Sequence, residues 1–144
     1  VEDTIFAVIG DSTFFHAGMP SLLNIAYNNA KVCVVILDNQ IVAMTGHQPT
    51  PETGRRVTGE EAKIMKIENI ANALGIDKVE IVDPYDVEET KKVISDILDY
   101  DGPSVIISRK PCALLVKRGD VRRVMEDCTS CGVCIRVLGC PATL

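Results

Sequence analysis

The sequence predicts an α/β domain built on a parallel sheet. Apolar runs without polar alternation occupy residues 4–9 and 31–37, which is typical of strands buried on both faces. Shorter strand-like runs follow at Lys78–Val82 and Ser104–Ser108, and helical patterns lie between the runs. Because the strands alternate with helices, we expect parallel pairing through right-handed crossovers, with helices flanking the sheet.

The elements follow in order along the chain. A loop over Gly10–Gly18 is expected after the first strand, and Pro20 suits the first turn of a helix over 20–29. A long polar segment, 39–59, follows the second strand, and segments of this kind are usually functional or mobile.

Capping patterns predict two further helices. Thr58 with Glu61 forms a capping box, and Gly75 is placed to end the helix that it opens. The apolar positions of that helix have helical spacing: Ile67, Ile70, Ala71 and Leu74. Asp86 with Glu89 caps the last helix, which ends at the turn 101–103.

Composition limits the classes of function. The chain has 144 residues, 47% of them hydrophobic, which suits one domain with a core. The net charge of −5 argues against a nucleic-acid partner. No apolar run approaches a membrane span of about 20 residues, and no signal pattern is present. Four of the six cysteines lie within 128–140, which indicates metal ligation in a reducing, cytoplasmic compartment.

Two polar turns follow the first two strands, where open α/β sheets bind ligands. Asp11 offers a carboxylate, Asn39 an amide oxygen and Ile41 a backbone carbonyl, a set that suits Mg²⁺ together with phosphate oxygens. Gly10 and Gly18 would let backbone approach a diphosphate, aided by the helix beginning near Pro20. Taken alone, each segment is more often a structural turn after a strand, in which Asp and Asn are common, than a ligand-binding site.

The two turns together resemble a known motif. Gly10-Asp11-Ser12 followed by Asn39, 28 positions after Asp11, is similar to the thiamine-diphosphate-binding motif. The longer string 10–18, with Asp38-Asn39 and Thr45-Gly46-His47-Gln48-Pro49, resembles the 2-oxoacid:ferredoxin oxidoreductase family, in its indolepyruvate branch. The resemblance covers essentially the whole chain and implies a thiamine-diphosphate-binding-type sheet.

The resemblance also implies roles for individual residues. It places Mg²⁺ on Asp11, Asn39 and the Ile41 carbonyl. Residues expected to line the cofactor are Gly10, Asp11, Ser12, Gly18, Asn39, Ile41 and Thr45. His16 and His47 would handle protons or contact the substrate carboxylate. The alternative for each histidine is a loop side chain bonded to backbone.

The cysteine run is the second motif. Its spacing is C-x₂-C-x₂-C, typical of bacterial-type 4Fe-4S sites, and a Cys-Pro pair ends it. The expected iron–sulfur ligands are Cys128, Cys131, Cys134 and Cys140. Zinc is the main alternative, although it usually takes two separated pairs. Five residues precede Cys140 where the bacterial run has three, so Cys140 would ligate a second cluster outside this chain. Cys33 is expected to be a small buried apolar residue.

We therefore expect residues 1–115 to form the thiamine-diphosphate and Mg²⁺ domain, and residues 116–144 to begin a truncated ferredoxin-like cysteine tail. Val1 is not an initiator Met, and we interpret the chain as a piece of a longer protein. The resemblance implies oxidative decarboxylation of arylpyruvates, with electrons passing to ferredoxin and the acyl group to coenzyme A. It also implies a pyrimidine-type domain missing from this chain and a second, beta subunit. Two alternatives are a non-redox thiamine decarboxylase or synthase with a zinc tail, and a ferredoxin-like electron carrier.

Overall fold

The computed structural model describes residues 4–116, 124–137 and 139. Its four strands form one parallel sheet in the order β1-β2-β4-β3, which confirms the predicted sheet class. The elements are β1 (Ile5–Gly10), α1 (Asp11–Thr13), a π-helical turn (Phe14–Gly18), α2 (Met19–Tyr27), β2 (Val32–Asp38), α3 (Ile67–Ala73), β3 (Lys78–Val82), α4 (Val87–Leu98), β4 (Ser104–Arg109) and α5 (Val133–Arg136).

Helices cover both faces of the sheet because apolar side chains alternate along the two central strands. On one face, Val34 of β2 and Ile107 of β4 pack with Leu22 of α2 and Ala71 of α3. On the other face, Cys33 and Ile106 pack with Ile97 of α4 and Val82 of β3. Cys33 is fully buried, as expected of a small apolar residue. This central region holds the carboxyl ends of β2 and β4 in place.

The first strand is less buried than its sequence suggested. Ile5 and Val8 are 51% and 66% exposed, so the prediction of burial on both faces is wrong for β1. Within the described residues β1 pairs only with β2, since it lies at the edge of the sheet. A continuous apolar run therefore does not distinguish an edge strand from a central one.

The predicted loop over Gly10–Gly18 is helical instead. Residues 11–27 form a nearly continuous helical run whose middle is the π-helical turn. Pro20 lacks an N–H group, and its ring would crowd the carbonyl four residues earlier in an α-helix. The wider π-helical turn ends two residues before Pro20, where the Met19 N–H donates to the Phe14 carbonyl five residues earlier. The positive end of this run consequently lies at Asp11 and not near Pro20.

Turns fill the polar segment after β2. Antiparallel bridges join Val42 to Gln48 and Arg55 to Glu61. The second bridge makes the predicted Thr58–Glu61 capping box wrong, because Thr58 lies in the turn of a small hairpin closed by the Gly59 N–H donating to the Arg56 carbonyl at 2.9 Å. Helix α3 begins later, at Ile67, with no side-chain cap.

The other helix signals are correct. Gly75 follows α3 with a φ of +93°, a left-handed conformation that favours glycine. Asp86 caps α4, its side chain accepting a hydrogen bond of 3.0 Å from the Glu89 N–H. Of the helices in the described parts of the chain, none is long and apolar enough to cross a membrane.

Candidate functional site

The candidate site lies at the carboxyl edge of the sheet, where β1, β2 and β4 end. Gly10 pairs in register with Leu37, so Asp11 and Asp38 leave the sheet side by side. Asp38 in turn pairs with Arg109 at the end of β4. Both aspartates are buried. The fold therefore brings the two polar turns together, as the spacing of the motif requires.

Asp11 links the two turns through its carboxylate. Its Oδ1 accepts a hydrogen bond of 2.6 Å from the Ser12 N–H, and its Oδ2 accepts one of 3.1 Å from the Gln40 N–H. Burial raises the pKa of Asp11 above its ordinary value, and the nearby Asp38 charge adds to the rise. A cation at this carboxylate would favour its charged form.

The turn after β2 is held by one hydrogen bond to the Asn39 side chain and by two backbone hydrogen bonds. The Asn39 Oδ1 accepts from the Ile41 N–H at 3.0 Å, and Gln40 between them has a φ of +64°. On the other side, the Lys110 N–H donates to the Asp38 carbonyl at 2.9 Å and the Cys112 N–H to the Asn39 carbonyl at 3.1 Å. The chain leaving β4 therefore supports the turn that carries the proposed metal ligands.

A buried ionic cluster adjoins this turn. Arg109 donates to Asp38 Oδ2 at 2.5 Å, to Glu68 Oε2 at 2.7 Å and to Glu52 Oε1 at 3.2 Å. Asp38 and Glu52 are 0% and 7% exposed in their side chains. Arg109 lowers the pKa of Glu68, whereas the carboxylates raise the pKa of Arg109. One guanidinium thus faces three carboxylates.

Glu52 is the least compensated member of the cluster. Its Oε2 is buried and has no hydrogen-bond partner among the described residues. Burial, and then the Asp38 charge, raise the pKa of Glu52 to about 7, although Arg109 opposes the rise. One carboxylate oxygen from each of Asp11, Asp38 and Glu52 lies within 4.8 Å of the other two. This corner carries excess negative charge.

Two cavities adjoin the acidic corner. A cavity of about 490 Å³ is lined by Asp11, Ser12, Asn39 and Ile41, with Leu114 from the segment after β4. A neighbouring cavity of about 360 Å³ is also lined by Ser12, together with His16 and residues 49–51. Five of the residues predicted for the site therefore line adjoining space.

Other predicted site residues lie elsewhere. Gly18 packs in the interior, where an added Cβ would lie 3.0 Å from Ile9 Cδ1 and 3.1 Å from Phe14 Cδ2. Its small size serves helix–strand packing in this structure. Gly10 ends β1, beside Asp11. Thr45 is exposed and donates through Oγ1 to Gln48 Oε1 at 2.6 Å. His47 is exposed and lines neither cavity.

The described cysteines of the tail are accessible. Cys128 and Cys131 are exposed and Cys134 is half-buried, and none of the three forms a disulfide with another described residue. Gly132 takes a φ of +72°, which makes a tight turn between Cys131 and Cys134. The Val133 N–H, and then Thr129, lower the pKa of the Cys131 thiol, which favours the thiolate that a metal requires. Cys140 lies outside the described residues.

The sequence reasoning missed Arg109, Glu52 and Glu68. Glu52 and Glu68 contact Arg109 across 57 and 41 positions of sequence, respectively, which no local pattern reports. One signal was available for Arg109, because it directly follows the predicted fourth strand and must emerge at the same sheet edge as Asp38.

Known proteins share this fold. Residues 1–108 match the family model described as thiamine pyrophosphate enzyme, C-terminal TPP binding domain. A solved 2-oxoglutarate:ferredoxin oxidoreductase from Magnetococcus marinus has a TM-score of 0.62 and 19% identity, over 73% of this chain and 39% of that one. A thiamine diphosphate-dependent 4-hydroxybenzoylformate decarboxylase from Rhodococcus jostii has a TM-score of 0.55 and 20% identity, over 75% of this chain and 20% of that one.

Curated relatives are more similar in sequence. The indolepyruvate oxidoreductase subunit IorA of Archaeoglobus fulgidus is 45% identical over 100% of this chain and 24% of its own length. The protein of the same name from Thermococcus kodakarensis is 47% identical over 98% of this chain and 23% of its own length. The chain thus spans about a quarter of these relatives. The family model covers residues 1–108, three quarters of this chain. The chain therefore belongs to the thiamine pyrophosphate enzymes, as their C-terminal TPP-binding domain.

Proposed function

We propose that this chain is the thiamine-diphosphate-binding part of an indolepyruvate ferredoxin oxidoreductase, alpha subunit. The enzyme would oxidatively decarboxylate arylpyruvates to aryl-acetyl-CoA and pass the electrons through iron–sulfur clusters to ferredoxin. The observation that supports this most is the meeting of Asp11 with the Asp38-Asn39 turn at one buried sheet edge, in a chain of this family. Thiamine diphosphate supplies the carbanion stabilisation that decarboxylation of a 2-oxoacid needs.

We propose Asp11, Asn39 and the Ile41 carbonyl as the protein ligands of Mg²⁺. Their oxygens are the hard donors that Mg²⁺ prefers, and they line one cavity. The charge of the corner also fits, because the buried carboxylates outnumber the guanidinium and the Glu52 Oε2 lacks a partner among the described residues. A divalent cation would compensate this excess charge.

The remaining residues of the proposed cofactor site differ in their support. Ser12 lies beside Asp11 and lines both cavities, which suits contact with a diphosphate. Gly10 stays in the proposal as the residue that brings the backbone to this edge. Gly18 and Thr45 stay as expectations of the family motif only, since one is packed in the interior and the other is exposed.

The positions of the two histidines differ in how well they support a catalytic role. His16 lines the cavity next to the metal corner, which suits proton handling or contact with a substrate carboxylate. His47 would need the segment 39–66 to rearrange before it could contact bound cofactor, because it lines neither cavity in this structure. We therefore favour His16 as the catalytic histidine.

We propose iron–sulfur ligation by the cysteine tail, residues 116–144. The support is the spacing of the run, the turn at Gly132 and the lowered pKa of the Cys131 thiol. Such thiolates must remain reduced, which supports a cytoplasmic setting. The resemblance supplies the proposed partners, which are a pyrimidine-type domain, a beta subunit, ferredoxin and coenzyme A.

Two measurements on the full-length protein test the proposal. Calorimetry should show thiamine diphosphate binding that requires Mg²⁺ and is lost in Asp11→Ala. Anaerobic reconstitution should yield iron and sulfide together. Tetrahedral zinc without iron would instead support a non-redox thiamine enzyme, and cofactor binding unchanged by Asp11→Ala would refute the metal assignment.

A further inference from the structure

Arg109 lies where three parts of the chain meet, beside the acidic corner formed by Asp11, Asp38 and Glu52. It is the last residue of β4, and it contacts a carboxylate from β2, one from α3 and one from the polar segment between them. Of the residues in these contacts, only Asp38 belongs to the strings that carry the family resemblance.

Glu68 and Glu52 fix the guanidinium. Glu68 accepts from Nη1 at 3.3 Å and from Nη2 at 2.7 Å, a two-point contact that sets the plane of the group. Glu52 accepts from Nη2 at 3.2 Å. The Nε of Arg109 is then left to donate to Asp38 Oδ2 at 2.5 Å. The orientation of the Asp38 carboxylate is thereby determined from α3 and from the polar segment.

Asp38 connects the guanidinium to the turn over residues 38–41 through a hydrogen bond. Its Oδ1 accepts from the Gln40 N–H at 3.0 Å, and the same N–H donates to Asp11 Oδ2 at 3.1 Å. Gln40 lies between Asn39 and Ile41, the two proposed ligands from this turn. A displaced Asp38 carboxylate would therefore alter the turn that presents both ligands.

We propose that Arg109 is a positioning residue of the cofactor site, which holds the Asp38 carboxylate so that the 38–41 turn keeps the shape needed to receive the divalent ion. The inference rests on the proposed Mg²⁺ and thiamine diphosphate function. It adds a residue that touches neither ion nor cofactor and acts through Asp38.

Charge and positioning predict opposite effects of removing Arg109. Loss of the guanidinium leaves Asp38, Glu52 and Glu68 without their shared cation, so electrostatic attraction alone would tighten Mg²⁺ binding. Loss of the hydrogen bonds frees the turn, so positioning predicts weaker binding. This opposition makes the sign of the effect informative.

The experiment measures Mg²⁺ affinity in the full-length protein with thiamine diphosphate present. Arg109→Met and Arg109→Lys are compared with the wild type and with Arg56→Met, which removes an exposed ion pair to Glu60. We expect both Arg109 variants to weaken Mg²⁺ binding by about tenfold or more, the range for residues that orient metal ligands. Lysine keeps the charge but lacks the planar fork. Arg56→Met should match the wild type.

Two further readouts separate positioning from a general structural effect. Activity of Arg109→Lys should need more Mg²⁺ for half-saturation, while kcat at saturating Mg²⁺ approaches that of the wild type. Bound Mn²⁺, used as a probe, should give an altered electron paramagnetic resonance spectrum in the variant. Glu68→Gln, which leaves Arg109 in place but weakens its anchor, should lower affinity in the same direction and serves if Arg109→Met does not fold.

The proposal is overturned if Arg109→Met binds Mg²⁺ as tightly as the wild type or more tightly. It is also overturned if Arg56→Met loses as much Mg²⁺ affinity as Arg109→Met does. If Arg109→Met does not fold, wild-type affinity in Glu68→Gln overturns it. The Asp11→Asn variant distinguishes failure of the proposed function from failure of the positioning role alone. If Asp11→Asn still binds Mg²⁺ normally, the proposed function itself fails. If Asp11→Asn loses binding and Arg109→Met does not, only the positioning role fails.

Discussion

Replacing Glu52 by Gln should stabilise the metal-free domain at pH 8 and have little effect below about pH 4.5. Burial and the Asp38 charge raise the pKa of Glu52 from its ordinary 4.5 to about 7 in the folded chain. An acid whose pKa is raised by folding contributes its stability while protonated and loses it as the pH rises through the folded pKa. Gln resembles the protonated form, so it avoids that loss.

The pKa difference gives the size of the effect. A rise from 4.5 to about 7 corresponds to about 3 kcal/mol at 1.36 kcal/mol per pKa unit. The side chain is only 7% exposed, so solvent screening removes little of it. We expect the stabilisation to appear between pH 4.5 and 7 and to level off above pH 7.

Hydrogen exchange of peptides from β2 and β4 measures this free energy within the full-length protein, with a chelator present. Glu60→Gln, an exposed glutamate from the same segment, is the matched control and should leave exchange unchanged. A Glu52→Gln variant that is equal to or less protected than the wild type at pH 8 would show that the Glu52 carboxylate is not destabilising, and the reasoning about the acidic corner would be wrong.

Three further predictions address the cofactor site, the core and a helix cap. Asp11→Asn should lower Mg²⁺-dependent affinity for thiamine diphosphate, since the only carboxylate among the proposed ligands loses its charge, and calorimetry at fixed Mg²⁺ would contradict this by finding wild-type affinity. Ile107→Ala should cost about 2–5 kcal/mol of unfolding free energy, because the side chain is fully buried in the core; a loss below about 1 kcal/mol in urea unfolding would mean that the site collapses without a cavity. Asp86→Ala should cost about 1 kcal/mol through loss of the α4 cap, and Asp86→Asn, which keeps an acceptor, should recover most of it in the same assay.

The strands and one cap could be predicted because their signals are local. Val32–Asp38 is an almost entirely apolar run and Lys78–Val82 is a short run rich in Val and Ile, and turns bound both. The Asp86 side chain bonds only three residues ahead. The Thr58–Glu61 signal is equally local but was wrong, since the same residues also suit the turn of a hairpin. Local patterns do not decide between two local structures when packing favours one of them.

The motif half of the site was predictable and the ionic half was not. Asp11 and Asn39 belong to a spaced pair that the family resemblance identifies. The partners of Arg109 come from two segments whose positions depend on strand order, and that order was not derivable from the sequence alone. Glu52 in particular lies in a turn-rich segment whose path no periodicity reports.

The exposed first strand has a consequence for how this domain behaves in solution. One side of β1 presents backbone hydrogen-bonding groups that pair with no described residue, and Ile5 and Val8 are largely exposed beside them. An apolar strand edge that stays unpaired serves as a template for intermolecular strand addition. We expect the 144-residue chain, handled alone, to form β-rich assemblies in a concentration-dependent way, and a charged residue in place of Val8 to slow that assembly.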